Sequence, residues 1–411
     1  MPSKSDSPRA GNKVKATGPK TGTPQSTATR PGQNSQRIHI SIELQQLLLN
    51  IFKDTFSATF DSKYSEHVQQ VKQHLYKRDF DHAFGTEDLR QVYAMRWSPI
   101  RALAYTNIFR NLSALTARLL SASGAGVSNL NKSSTDKLQD AASNSGYASA
   151  ATQNIAGKTS RVVCVGGGAG AEIVALGGYL NCLSRLTLPT QSNILANGEQ
   201  AERVSPLHVA VTAIDIAGWD SVACNLHSST TTAPLLSQYA SANAKVANAP
   251  LIGPESLGLE FVKQDVLNMA IERMPAIFAD AALVTLMFTL NELYSTSMSA
   301  TTNLLLSMTS MLSPGALLLV VDSPGSYSTV SIGKTSDSGD ESKKKRYPMQ
   351  WLLDHTLLES AAISNSKNAS GEHQWEKLES RNSEWFRLSD DLRYPVDLED
   401  MRYQIHLYRR L

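Results

Sequence analysis

"RVVCVGGGAGAEIVALGGYL", residues 161–180, runs apolar to Val165, stops on three consecutive glycines with a fourth two residues later, and restarts with helical spacing. A buried strand that ends in Gly166, Gly168 and Gly170 can turn tightly and lets a ligand approach the backbone closer than a Cβ allows. The stretch reads as strand, ligand loop and helix. Such a unit belongs to an α/β fold, and the rest of the chain tests that reading.

Downstream, strand-like and helix-like segments alternate. Strands are expected at 161–165, 208–214, 259–263, 282–287 and 316–321. Helices are expected from Ala171, from Trp219, and at 297–312 and 348–359. This alternation implies a parallel sheet covered by helices on both faces. Two late strands, "EWFRL" at 384–388 and 401–411, lack an intervening helix and suggest a hairpin. Polar stretches at 187–204, 238–256 and 328–346 have no period and read as surface loops.

Upstream, residues 37–120 repeat apolar side chains at three and four, as in "IELQQLLLNIFKDTF", and predict a helical N-terminal region. Within it, Ser98 followed by Pro99 has the form of a helix start. Residues 121–158 are Ser, Ala, Asn and Gly without period and read as a linker, so the sheet domain is expected over 159–411. Residues 1–36 carry six Lys or Arg against one Asp and almost no large apolar side chains, which predicts a disordered basic tail. The net charge of the 411 residues is +2, so the rest of the chain sums to about −3 and any polyanion contact must be local.

With 41% hydrophobic residues the chain can build a sizeable core. It has no apolar run long enough to span a bilayer and no apolar signal-peptide core, so a soluble, intracellular protein is expected. Cys164, Cys182 and Cys224 lack metal-ligand spacing and read as structural thiols; the nine histidines show no ligand spacing either, and no metal is expected.

A glycine turn alone does not choose among nicotinamide, flavin and S-adenosylmethionine sites, or a turn that binds nothing. The acids at later strand ends sharpen it. In "HVAVTAIDIAGW", Asp215 falls on the strand beside the loop, where a carboxylate can accept both hydroxyls of a ribose. In "LEFVKQDVLN", Asp265 ends the next strand and can meet an adenine amino group. Gly166, Gly168, Gly170, Asp215 and Asp265 thus occur in the order an adenosyl site uses.

That order, with seven strands ending in a hairpin, resembles the class I S-adenosylmethionine-dependent methyltransferases over residues 161–411. "MRWSPIRALAY", "VVCVGGGAGAE", "NELY", "VVDSPGSYS", "YPMQWLLDHTLL" and the C-terminal "EWFRLSDDLRYPVDLEDMRYQIHLYRRL" together resemble the fungal large-subunit ribosomal RNA (uridine-N3)-methyltransferases. The resemblance implies a Rossmann-like sheet, S-adenosylmethionine as cofactor, large-subunit ribosomal RNA or a pre-ribosome as partner, no membrane, and a place in nucleus, nucleolus and cytoplasm. The chain departs from the class pattern two residues before the first glycine, where Cys164 stands in place of a carboxylate. The interval from Gly170 to Asp215 also exceeds the ~20 residues usual between a glycine turn and its ribose carboxylate, and the insertion at 187–204 accounts for it.

Methyl transfer to uridine N3 requires loss of the N3 proton, because the neutral imide nitrogen is delocalised into two carbonyls. A base or an anion-stabilising donor is therefore expected where the fourth strand ends. There, Asn291 can orient the base edge, Glu292 can accept the proton or merely open a helix, and Tyr294 can stack on uracil. Asp322, after the fifth strand, opens on the same edge and either touches substrate or caps a turn. Arg96 and Arg101 lie among Tyr93, Trp97 and Tyr105 in a pattern that suits RNA, or else the aromatics are core and the arginines its edge. "SKKKR" at 342–346 reads as a solvated run, with nuclear import or rRNA contact as the functional alternative. Two other readings stay open: another RNA base or a protein as acceptor, and a non-catalytic ribosome-assembly factor with this fold.

Overall fold

Residues 39–122, 159–187, 207–325, 327–330, 345–360 and 373–411 are described by the structure, a computed structural model. The described residues begin with five α-helices: α1 (Ile42–Thr55), α2 (Tyr64–Tyr76), α3 (Phe80–Ala83), α4 (Glu87–Asn111) and α5 (Ser113–Ala122). Ser41 caps α1, its Oγ accepting from the Leu44 amide at 3.3 Å, and Leu44, Leu48 and Phe52 recur at i, i+4 and i+8 to bury one face.

The alternating region follows: β1 (Ser160–Val165), α6 (Ala171–Thr187), β2 (Val209–Asp215), α7 (Asp220–Thr231), α8 (Ala242–Val246), β3 (Leu257–Lys263), α9 (Met274–Phe278), β4 (Ala281–Met287), α10 (Leu290–Thr296), α11 (Met298–Met311) and β5 (Leu317–Asp322). After them come β6 (Tyr327–Val330), β7 (Lys345–Pro348), α12 (Met349–Asp354), β8 (Trp375–Phe386) and β9 (Met401–Arg410). Seven strands form one sheet in the order β3-β2-β1-β4-β5-β9-β8, with β1 to β5 parallel and β9 antiparallel to both neighbours. Successive residues of β1 point to opposite faces: Val162 and Cys164 join the core shared with α1, α4, α6 and α7, while Val163 and Val165 join the core under α9 to α12. The chain leaves β1 toward β2 on one side and returns beside it as β4 on the other, so a crevice opens at the carboxyl ends of these strands.

The N-terminal helices are part of this body, and the compact unit runs from Ile38 to Leu411. Helix α4 lies on α6, with Thr106 Oγ1 donating to the Ala175 carbonyl at 3.3 Å, and Ser160 Oγ at the start of β1 donates to Leu119 O at 2.8 Å. The expected tail over 1–36, nearly all of the linker stretch, and the insertion at 187–204 but for its first residue lie outside the described residues.

Local readings are corrected at three places. No helix starts at Pro99. Helix α4 begins at Glu87 behind a Thr86 cap and runs through the proline. Pro99 lacks the N–H that would bond the Met95 carbonyl, and the Tyr394 hydroxyl donates to that carbonyl instead at 2.9 Å. The final hairpin is present, but β8 starts at Trp375, well before residue 384, and carries two register shifts against β9. The stretch read as a loop at 328–346 contains backbone of a two-stranded antiparallel ribbon, β6 with β7.

Candidate cofactor and substrate site

Gly166 ends β1 with φ +76°, a backbone state that an L side chain adopts only with strain, and Gly170 repeats it with φ +79° before α6. Between them Gly168 has another reason to lack a side chain. A Cβ there would stand 2.3 Å from Cδ1 of the buried Trp219 ring. Sequence reasoning placed ligand against Gly168. The structure places Trp219 there, and only Gly166 of the three glycines lines the crevice.

The crevice is a cavity of about 580 Å³ at the carboxyl edge of the sheet. Its floor is Val165 at the end of β1 and Gly166 after it, Asp215 at the end of β2, Asp265 after β3, Phe288 and Thr289 after β4, and Asp322 at the end of β5. Its roof comes from the N-terminal helices, with Tyr76, Arg78, Phe80, Phe84, Tyr93 and Arg101. Phe84 and Tyr93 pack on Trp219 with ring centroids 4.9 and 5.7 Å apart, which ties roof to floor.

Asp215 does two jobs. Its carboxylate accepts from the Gly168 amide and from the Ala217 amide, each at 3.2 Å, so it fixes the glycine loop while facing the cavity. Burial pushes its pKa up to about 6 against the lowering effect of those bonds. Asp265 accepts from the Leu267 amide at 2.9 Å and from Asn268 Nδ2 at 2.6 Å, capping a short turn at the cavity edge.

At the end of β4, Asn291 and Glu292 lie in the first turn of α10 and both line the cavity. Asp322 caps that turn from the neighbouring strand: its carboxylate accepts from the Asn291 amide at 3.0 Å and from the Ser323 amide at 2.8 Å, and burial pushes its pKa up to about 6. Glu292 Oε2 meets Arg78 NH1 at 2.9 Å across the cavity mouth. Arg78 holds φ +56° to do so.

Two expected substrate contacts are not in the cavity. Tyr294 is 3% exposed and packs in the core under α10, although it stands only three residues after the cavity-lining Asn291. Arg96 pairs with Glu399 at 2.7 Å and lies over Trp97, holding α4 to the segment before β9. Arg101 does face the cavity, its NH1 donating to Tyr93 Oη at 2.6 Å.

Sequence reasoning missed Glu172. It lies in the first turn of α6 directly after the loop, is 4% exposed, lines the cavity, and its Oε1 has no partner among the described residues. Burial pushes its pKa up to about 8, with nearby Arg101 pulling the other way. The signal was present in "GGGAGAE" as an acid buried in an otherwise apolar helix start. The histidines also hold one surprise: the Nδ1 atoms of His74 and His82 converge on Asp79 at 3.1 and 2.7 Å. There the carboxylate also caps α3 and raises the His82 pKa by hydrogen bonding.

A Rossmann-like sheet of this order, with a glycine loop after β1 and a carboxylate at the end of β2, defines a class I S-adenosylmethionine-dependent methyltransferase. The family described as "Putative SAM-dependent methyltransferase" matches residues 52–409, and the chain belongs to it. A relative from Saccharomyces cerevisiae, the 25S rRNA (uridine(2843)-N(3))-methyltransferase, is 27% identical over 371 residues, covering 88% of this chain and 85% of its own. Among solved structures, a methyltransferase from Methanosarcina mazei overlaps 63% of this chain and 95% of its own at 10% identity and TM-score 0.30. The N-methyltransferase NodS from Bradyrhizobium japonicum, in complex with S-adenosyl-L-homocysteine, overlaps 62% and 79% at 10% identity and TM-score 0.27. The fold assignment rests on the strand order, not on these partial overlaps.

The residues present fit the cofactor. The cavity has room for a nucleoside and an amino-acid chain, a carboxylate stands at the end of β2, and the orphaned oxygen of Glu172 awaits a donor.

Proposed function

We propose that this protein transfers the methyl group of S-adenosylmethionine to N3 of a uridine in large-subunit ribosomal RNA. The observation that carries the reading is the match to the yeast enzyme, which runs over 88% of the chain and so takes in both the cavity floor and its helical roof. When bound, the cofactor supplies an electrophilic methyl group on a sulfonium. Gly166 and Asp215 would hold its ribose end, and Asp265 its adenine.

The chain's own residues must then remove the N3 proton and hold the uracil edge. Asn291 presents a side-chain amide in the cavity and suits orientation of a base edge and stabilisation of an imide anion. Glu292 is engaged by Arg78 and serves as a latch between α10 and the roof. Asp322, with its raised pKa, is the better proton acceptor, since a base works best when its pKa nears the working pH. Pre-ribosomes are the partner in this reading, which puts the protein in nucleus, nucleolus and cytoplasm. The basic residues of 1–36 and of 342–346 suit contact with a polyanion.

The test is mass spectrometry of ribosomal RNA nucleosides from a strain lacking the chain. Loss of 3-methyluridine at one position, restored by the wild-type gene, supports the reading. Loss of a different modified base, or no change, rejects it. In the same assay Asp322→Asn should lose rate by roughly a hundredfold or more, and Glu292→Gln by much less.

A further inference from the structure

Two ionisable side chains in the cavity lack the partner that burial demands. Glu172 is one, with its unpartnered Oε1. Arg101 is the other. Its guanidinium lies over the rings of Tyr93 and Phe288, at 5.6 and 4.9 Å, and donates to the Tyr93 hydroxyl. Among the described residues no carboxylate stands within 4.0 Å of it. A desolvated guanidinium without a counter-charge costs several kcal/mol, and a buried carboxyl oxygen without a hydrogen-bond partner is costly in either protonation state. Even so, the fold keeps them apart instead of pairing them. Cys164, at the strand end below, is a buried thiol and cannot supply the missing charge. A cavity that presents an unpartnered carboxyl oxygen on Glu172 and, across from it, a guanidinium without an ion-pair partner is complementary to a zwitterion.

We infer that Glu172 and Arg101 together bind the amino-acid end of the cofactor, Glu172 taking its α-ammonium and Arg101 its α-carboxylate. The inference rests on the family's cofactor and not on the RNA substrate. It gives Arg101 a partner inside the cavity in place of the phosphate its sequence context suggested. It also explains an acid at a position where every other group of the helix start is apolar or small.

The groups facing Glu172 are Arg101 and Tyr105 from α4, Asp215 from β2 and Cys164 from β1. With its pKa near 8, Glu172 is largely protonated in the free protein at pH 7. An ammonium ligand favours the ionised form, so binding should expel a proton to solvent.

Calorimetry on the full chain tests this with two nucleosides that differ only at the amino-acid end, S-adenosylhomocysteine and 5′-methylthioadenosine. The wild type should prefer the former by about tenfold or more, the worth of hydrogen bonds between charged groups. At pH 7 S-adenosylhomocysteine should release a proton, seen as heats that differ between phosphate and Tris buffers, and 5′-methylthioadenosine should release none. Glu172→Gln keeps the side-chain shape and should lose most of the preference and the proton release, with 5′-methylthioadenosine affinity unchanged. Arg101→Gln should weaken S-adenosylhomocysteine and spare the decarboxylated cofactor. Equal affinity of the two nucleosides for the wild type, or an unchanged ratio in Glu172→Gln, overturns the inference alone. Failure of every nucleoside to bind overturns it together with the cofactor assignment.

Discussion

Gly168 lacks a side chain for a reason internal to the protein: the indole of Trp219, 1% exposed and packed against Phe84 and Tyr93, occupies the space a Cβ would need. Gly168→Ala should therefore destabilise the ligand-free protein by about 1 to 3 kcal/mol, as overpacking in a rigid core does. A thermal melt without ligand measures it. An unchanged melting temperature with lost nucleoside binding would return the glycine to its ligand role. At this scale the sequence was legible where chemistry and position coincide. Asp215 ends β2 and Asp265 follows β3 by two residues, and strand ends meet the crevice. It was not legible where rotation about a helix decides. Asn291, Glu292 and Tyr294 stand within one turn, and only the packing of α10 tells which of them faces the cavity and which the core. Glu172 escaped notice because an acid in a first helical turn is ordinarily a solvated partner of the helix dipole. Here Arg101 and Tyr105 of α4 lie over it and Cys164 and Asp215 lie beside it, and it is buried.

Helix α4 shows the same limit among elements. Ser98-Pro99 has the local form of a helix start, yet the helix passes through, because a hydroxyl 299 residues away takes the carbonyl that proline leaves open. Ser98 meanwhile spends its Oγ on the Ala169 carbonyl at 2.8 Å, fastening α4 to the glycine loop. No window of local sequence contains either partner. Four of the five parallel strands, β1, β2, β4 and β5, were by contrast readable from their apolar runs alone, since strands buried on both faces need no long-range partner to declare themselves. The part of β8 that went unread, 375–383, is charged at several positions and sits at the sheet edge. Tyr394→Phe should cost about 1 to 3 kcal/mol, the penalty for stranding a buried carbonyl. Pro99→Ala supplies the missing N–H. In that background the cost of Tyr394→Phe should shrink, and a double-mutant cycle of melting curves reads the coupling. Equal costs in both backgrounds would show that Tyr394 acts by packing.

Across the whole molecule, three carboxyl groups from three different elements converge on one cavity and all are pushed up by burial: Asp215 and Asp322 to about 6 and Glu172 to about 8. In the unfolded chain they titrate at about 4. Between about pH 4 and those higher values the folded protein therefore binds more protons than the unfolded chain, and stability falls as pH rises. The contribution is fully present below about pH 4, is lost first through 6 as the two aspartates ionise, and then through 8 as Glu172 does. The melting temperature of the ligand-free protein should accordingly drop between pH 6.5 and 8.5, by an amount of order a few kcal/mol in stability. Glu172→Gln should flatten that interval and reduce, without abolishing, the fall between pH 4.5 and 6, which the two aspartates still carry. A ligand that needs the ionised form gains what the free protein loses, so the stabilisation given by S-adenosylhomocysteine should be larger at pH 8.5 than at 6.5. Melts at these pH values, with and without that ligand, check both signs at once. A Glu172→Gln protein whose melting temperature tracks the wild type across pH 6.5 to 8.5 would show that the carboxyl is not held in its protonated form by the fold.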